Sequence, residues 1–183
     1  LYNSSFYNNS PNNSLANLNV DKLSPRTLTF VASADNLAVN GNLSISANTA
    51  LIYNSPGTLH LAGELQNSGN FQFNNGKLIY SGPESTVGGN SDCYFNDLDI
   101  NGNSLTNLAL DINTAIHGDL HIINGTLDPL SHVLRVEGDW DNDEGAEGFT
   151  KGTSNVIFQG ASAQDISGYT DFYTFTIDND APG

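Results

Sequence analysis

The sequence predicts an all-β fold: a single-stranded parallel β-helix, or β-solenoid, of about nine coils of roughly 20 residues each. Three observations predict it. A strand-like signature (apolar, any, apolar, any, Gly) recurs along the chain, its copies fall about 20 residues apart, and a longer period of about 77 residues overlies them.

The signature reads Leu37-Ala38-Val39-Asn40-Gly41, Leu59-His60-Leu61-Ala62-Gly63, Leu78-Ile79-Tyr80-Ser81-Gly82 and Leu98-Asp99-Ile100-Asn101-Gly102. It continues as Thr114-Ala115-Ile116-His117-Gly118, Leu134-Arg135-Val136-Glu137-Gly138 and Val156-Ile157-Phe158-Gln159-Gly160, then Phe175-Thr176-Ile177-Asp178-Asn179. A degenerate ninth copy is Leu18-Asn19-Val20-Asp21-Lys22. From Gly41 the steps are 22, 19, 20, 16, 20 and 22 residues, and a last step of 19 reaches Asn179. Alternating apolar residues mark strands. The closing Gly, or Asn in the last copy, reads as a corner residue with positive φ.

A coil of this length cannot bury its own apolar side, but stacked coils bury one another's. The expectation is that Val39, Leu61, Tyr80, Ile100, Ile116, Val136, Phe158 and Ile177 point inward and form stacked columns. Asn-Gly pairs such as Asn75-Gly76 and Asn124-Gly125 read as corners, and stacked Asn side chains as amide ladders. No stretch carries a helical period. A β-sandwich is the rival fold, but the even spacing favours the solenoid.

The longer period aligns Gly41 with Gly118, Gly63 with Gly138, Gly82 with Gly160 and Gly102 with Asn179. The flanks agree: Gly63-Glu64-Leu65-Gln66-Asn67 matches Gly138-Asp139-Trp140-Asp141-Asn142. Residues 1–183 are therefore read as one continuous solenoid with sequence units 1–40 (partial), 41–117 and 118–183 (partial). Four coils are expected per unit, so that excising 41–117 would preserve the coil register. Leu1-Tyr2-Asn3 resembles Ile79-Tyr80-Ser81 and no initiator Met is present, so the chain reads as an excerpt of a longer array.

Five Lys and Arg stand against 20 Asp and Glu, a formal net charge of −15. That balance argues against nucleic acid as a partner, which needs clustered cations. No apolar run approaches the ~20 residues of a transmembrane segment. Cys93 is the one cysteine, which leaves no internal disulfide.

Phe95-Asn96-Asp97-Leu98-Asp99-Ile100 with its copy at Phe172–Ile177, Gly138-Asp139-Trp140-Asp141-Asn142, and the run from Asn155 to Gly168 resemble the tandem β-helical repeats of large Bacteroidetes cell-surface proteins. The resemblance covers most of the chain and is strongest from Gly76 onward. It implies export, commonly by type IX secretion, and an extracellular, surface-displayed, adhesin-like or gliding-associated protein. The implied role is a structural or adhesive stalk and not an enzyme. The implied partners are neighbouring repeats, surface glycans, and secretion-system or outer-membrane components. The alternative is a carbohydrate-binding module or a non-catalytic part of a β-helical polysaccharide-degrading enzyme.

No catalytic or cofactor-binding residue is assigned. Asp139, Asp141, Asp143 and Glu144 are the candidate Ca²⁺ ligands, and Ca²⁺ is the one cofactor considered. The spacing Asp139-x-Asp141-x-Asp143 suits a Ca²⁺ loop, but an EF-hand needs Gly and Glu where Glu144 and Thr150 stand. A solvated loop insertion is the competing reading. His117 and His121 share a strand side and read as outward variation. Trp140 reads as core. Tyr94, Tyr169 and Tyr173 are candidates for a carbohydrate platform, and Cys93 lacks the nearby base a catalytic thiol requires.

Overall fold

Strand pairing between turns closes the fold. The computed structural model describes residues 4–6, 13–21, 26–30 and 36–180. Its strands form three parallel sheets. Sheet I stacks Ser4–Phe6, Arg26–Phe30, Thr49–Tyr53, Asn70–Phe73, Cys93–Phe95, Thr114–Ile116, Val133–Val136, Asn155–Gly160 and Thr174–Asn179. Sheet II stacks Asn13–Leu15, Leu37–Val39, Thr58–Leu61, Lys77–Tyr80, Asp97–Asn101, Leu120–Asn124, Trp140–Asn142 and Ile166–Gly168. Sheet III stacks Leu18–Val20, Leu43–Ile45, Leu65–Asn67, Ser85–Gly89, Asn107–Leu110 and Thr126–Asp128. The expected parallel solenoid is present, and the only helix among the described residues is the 3₁₀ turn Gly145–Glu147.

The turn count is about seven, of about 22 residues each, and not nine of 20. The signature does not stay on one sheet. The markers Gly41, Gly63, Gly82 and Gly102 follow strands of sheet II. Gly118 and Gly138 follow strands of sheet I, and Gly160 and Asn179 end strands of the same sheet. The degenerate copy belongs to sheet III; Lys22, like Leu1–Asn3, lies outside the described residues. The short 16-residue step from Gly102 to Gly118 is therefore two faces of the solenoid, not three. The first interval, from sheet III to sheet II, is also two faces. Two of the eight intervals are thus two-thirds of a turn, which brings the total to about seven.

The same shift corrects the long repeat. Thr114–Ile116 is the eleventh strand after Leu37–Val39. Eleven faces are three and two-thirds turns, so the 77-residue unit advances the chain by one face short of four turns. Homologous segments keep their local structure on different sheets. Asn67 of sheet III and Asn142 of sheet II are both buried, at 0% and 1% exposure. Each spans to a corner of the next turn: Asn67 Nδ2 donates to Asp92 O at 2.9 Å, and Asn142 Nδ2 to Tyr169 O at 2.8 Å.

The eight expected inward residues consequently form two columns. Val39, Leu61, Tyr80 and Ile100 stack on sheet II and continue into Ile122. Ile116, Val136, Phe158 and Ile177 stack on sheet I. All are buried except Ile177, which is 70% exposed on the last strand. A parallel column on sheet II runs Leu37, Leu59, Leu78, Leu98, Leu120 and Trp140. Trp140 is fully buried, as expected, against Phe149, Phe158 and Phe172, with ring centroids 5.1, 5.9 and 5.2 Å away.

The expected positive φ is found at one marker glycine, Gly160, with φ 144°; the other markers are required for a different reason. Gly82 and Gly138 do not have positive φ. A Cβ at Gly82 would lie 1.9 Å from Ala62 O, and one at Gly138 would lie 2.5 Å from Gly118 O. Each corner sits directly on the corner below, leaving no room for a side chain.

Sheet III loses its regular strands after Thr126–Asp128. There the acidic segment and the 3₁₀ turn replace a strand, and a single Leu127–Phe149 bridge closes the seventh turn. The aromatic cluster around Trp140 fills the core beneath this irregular face. Replacing Trp140 with Ala should therefore cost about 3–5 kcal/mol, measured by urea denaturation; a cost below 1 kcal/mol would mean the cluster does not hold the seventh turn.

Candidate functional site

The outward side of sheet II and its leading corner carry a cluster of acidic residues. At its leading corner, Asp97, Asp119 and Asp139 form a ladder of carboxylates. Asp119 N donates to Asp97 Oδ1 at 3.1 Å, Asp139 N to Asp119 Oδ1 at 2.8 Å, and Asp165 N to Asp139 Oδ1 at 2.8 Å. Like charges on successive turns repel; here each carboxylate is held by a backbone N–H of the following turn. Asn17 and Asn42 do the same at another corner, accepting from Asn42 N and Glu64 N. An amide-to-amide rung of the expected kind joins Asn74 Nδ2 to Asn54 Oδ1 at 3.0 Å.

Along the middle of this face, Asp99, His121, Asp141 and Ser167 stand in register on successive turns. Asp99, only 6% exposed, is paired with Lys77 Nζ at 3.0 Å. His121 Nε2 lies 2.9 Å from Asp143 Oδ2 and 3.5 Å from Asp141 Oδ2. Ser167 Oγ donates to Asp141 Oδ1 at 2.5 Å, which leaves the other oxygen turned toward the imidazole.

Of the four candidate Ca²⁺ ligands, the structure brings together two. Asp141 and Asp143 converge with His121, their donor atoms all within 4.8 Å of one another. Asp139 turns away into the corner ladder, and Glu144 is exposed at the start of the 3₁₀ turn. One imidazole nitrogen and two carboxylate oxygens are donors that Zn²⁺ accepts, whereas Ca²⁺ takes oxygen ligands alone. The signal that identifies His121 is its 20-residue separation from Asp141, one turn of the solenoid. The expected shared strand side of His117 and His121 is not found: His117 follows the sheet I strand Thr114–Ile116, and His121 lies on sheet II.

The remaining candidates separate. His117 Nδ1 pairs with Glu137 Oε1 at 3.0 Å, and His132 Nε2 with Asp111 Oδ1 at 3.4 Å. Tyr94 lies on sheet I in the fifth turn, whereas Tyr169 and Tyr173 follow the last strand of sheet II, so the three build no common platform. Cys93 points into the core of sheet I at 0% exposure, and burial pushes its thiol up to about 12. No family model, curated protein or solved structure matches the chain.

Two outcomes are expected here. Millimolar Ca²⁺ should leave the melting temperature unchanged, because Asp139 and Glu144 do not join Asp141 and Asp143; a rise of several degrees would require a ligand set other than the one described. Cys93 should resist a disulfide reagent at pH 8 in the native protein and react on denaturation, since almost no thiolate exists below a pKa of about 12.

Proposed function

We propose that this chain is a spacer segment in the stalk of a secreted, surface-displayed repeat protein of the adhesin-like kind its motifs resemble. One observation supports this most directly: the parallel pairing of sheets I and II runs unbroken along a single axis. The leucine column from Leu37 to Leu120 passes through five consecutive turns without a polar interruption. Each turn contacts its neighbours above and below, so length is gained by adding turns and no distant contact is disturbed. Seven turns at ~4.8 Å give a rod about 34 Å long.

Outward residues at matched positions differ, while most inward ones keep their apolar character, buried Thr114 for Leu37 being an exception. Asn40 corresponds to His117, Ala62 to Glu137 and Ser81 to Gln159. Stacking accounts for the apolar character that the matched inward positions share.

Two deletions in the protein that carries this segment test the reading. Removing residues 41–101 joins Asn40 to Gly102, both corners of sheet II, and takes out three whole turns. This variant should fold, be displayed, shorten the rod by about 14 Å, and weaken attachment only gradually. Removing residues 41–117 deletes eleven faces and moves every following strand one face around; because matched segments keep their local structure on different sheets, this variant should also fold, with a rod about 18 Å shorter. Abrupt loss of attachment by a displayed, folded 41–101 deletion would refute the spacer role.

A further inference from the structure

The outward side of sheet I contains a gap that stacking does not require. Its middle column runs Gln72, Tyr94, Ala115, Arg135, Ile157 and Thr176 in register. Ala115 is the small member, so the long side chains of Tyr94 and Arg135 stand two strand spacings apart, about 10 Å, with little between them. The result is a groove of about 290 Å³, lined on its adjacent column by His117, Glu137 and Gln159, with Asp92 and Asn113 also in its walls.

The walls are braced before any ligand arrives. The Tyr94 ring lies parallel to the His117 ring, at 5° and 6.0 Å between centroids. His117 is tied to Glu137 at 3.0 Å, and Gln159 Nε2 donates to the same Glu137 Oε1 at 3.1 Å. Tyr94 nevertheless leaves 40% of its surface to solvent.

Arg135 is the anomaly. Lys77 pairs with Asp99, and Lys151 with Asp171. Half-buried Arg135 makes no ion pair among the described residues, in a chain of net charge −15.

The sequence repeat supplies an internal control. One unit earlier, the column Ser14, Ala38, His60 and Ile79 on sheet II matches Tyr94, Ala115, Arg135 and Ile157. The small residue and the Ile are kept. The aromatic, the cation, Glu137 and Gln159 are replaced by Ser14, His60, Ala62 and Ser81. The gap belongs to the repeat, but its lining belongs to this position alone.

We propose that this groove binds a single sugar residue bearing a carboxylate, such as a terminal uronic acid. The planar guanidinium of Arg135 matches a carboxylate in two-point contact. The negative face of the Tyr94 ring receives the C–H face of a pyranose, and Glu137 and Gln159 accept and donate to its hydroxyls. The volume lies at the small end of ligand sites and suits one ring. Glu137 and Asp92 in the groove walls disfavour a dianion such as a phosphate, and the net charge disfavours a polyanionic chain, so a singly charged chain end held at Arg135 fits best. The inference does not rest on the spacer role: a rod serves as a spacer whether or not the groove is filled.

The test titrates the intact chain with methyl β-glucuronide, methyl β-glucoside and glucose 6-phosphate, followed by NMR shifts of the sheet I amides. Binding of the glucuronide at least about tenfold tighter than either comparison ligand is expected, given the strength of hydrogen bonds to charged groups. Arg135→Gln should remove that preference and Tyr94→Ala should weaken binding of both glycosides, with melting temperatures unchanged because neither side chain is in the core. Equal affinity for glucoside and glucuronide, a preference that survives in Arg135→Gln, or no shifts at sheet I would each overturn the proposal. None of these results bears on the length dependence that tests the spacer.

Discussion

Each turn of this chain is stable because another lies on it. A strand of three to six residues, with one side apolar, has no stability of its own. Parallel pairing at every turn satisfies the backbone and sets identical inward positions on top of one another. Leucine therefore stands on leucine along sheet II, and Tyr53 lies flat on Phe73 with ring centroids 4.4 Å apart and planes 4° from parallel. The same constraint forces the corners together until Gly82 and Gly138 have no space for a Cβ. It also absorbs charge: the Asp97, Asp119 and Asp139 carboxylates line one corner because each accepts a backbone N–H from the turn above.

The solenoid was legible because its two causes are local. Alternation of apolar residues marks each strand, and a corner glycine marks where a turn must pass close to its neighbour. The number of turns was not legible from the markers alone. Leu98–Ile100 and Thr114–Ile116 carry the same signature, and nothing within either says which sheet it joins; only the 16-residue step between their markers betrays the change of face. The role of the glycines was hidden for a related reason. A residue needed for positive φ and one needed for close approach look identical in sequence, and the second depends on a neighbour one turn away.

The candidate sites follow the same logic. Asp141 and Asp143 are two residues apart in sequence and easily seen as a pair, whereas His121 reaches them from the turn below. Asp139 looks equivalent to Asp141, yet it sits at the corner, where its carboxylate is taken by Asp165 N. In a solenoid the neighbours that matter for chemistry lie one turn apart, about 20 residues away. Reading along a strand finds residues with the same orientation; reading at the turn spacing finds those in contact.

A unit of eleven faces, against three per turn, means that duplication in this chain did not respect the turn. This is tolerable only if the three sheets are close to interchangeable, and the residues bear that out. Asn67 and Asn142 make the same corner contact on sheets III and II, and the Ala38–His60–Ile79 column of sheet II reappears as Ala115–Arg135–Ile157 on sheet I. The face of about seven residues, not the turn, is the quantity that the sequence repeats. Successive units therefore present their matched outward residues one face around from the last. The interior is indifferent to that rotation, because Leu, Ile and Val stack equally well on any sheet. The exterior is not: a column copied to a new sheet keeps its own vertical neighbours but meets a different environment at each corner. Substitutions such as Arg135 for His60 then fall on positions already free of the core, where a new surface can arise without cost to the stack beneath it.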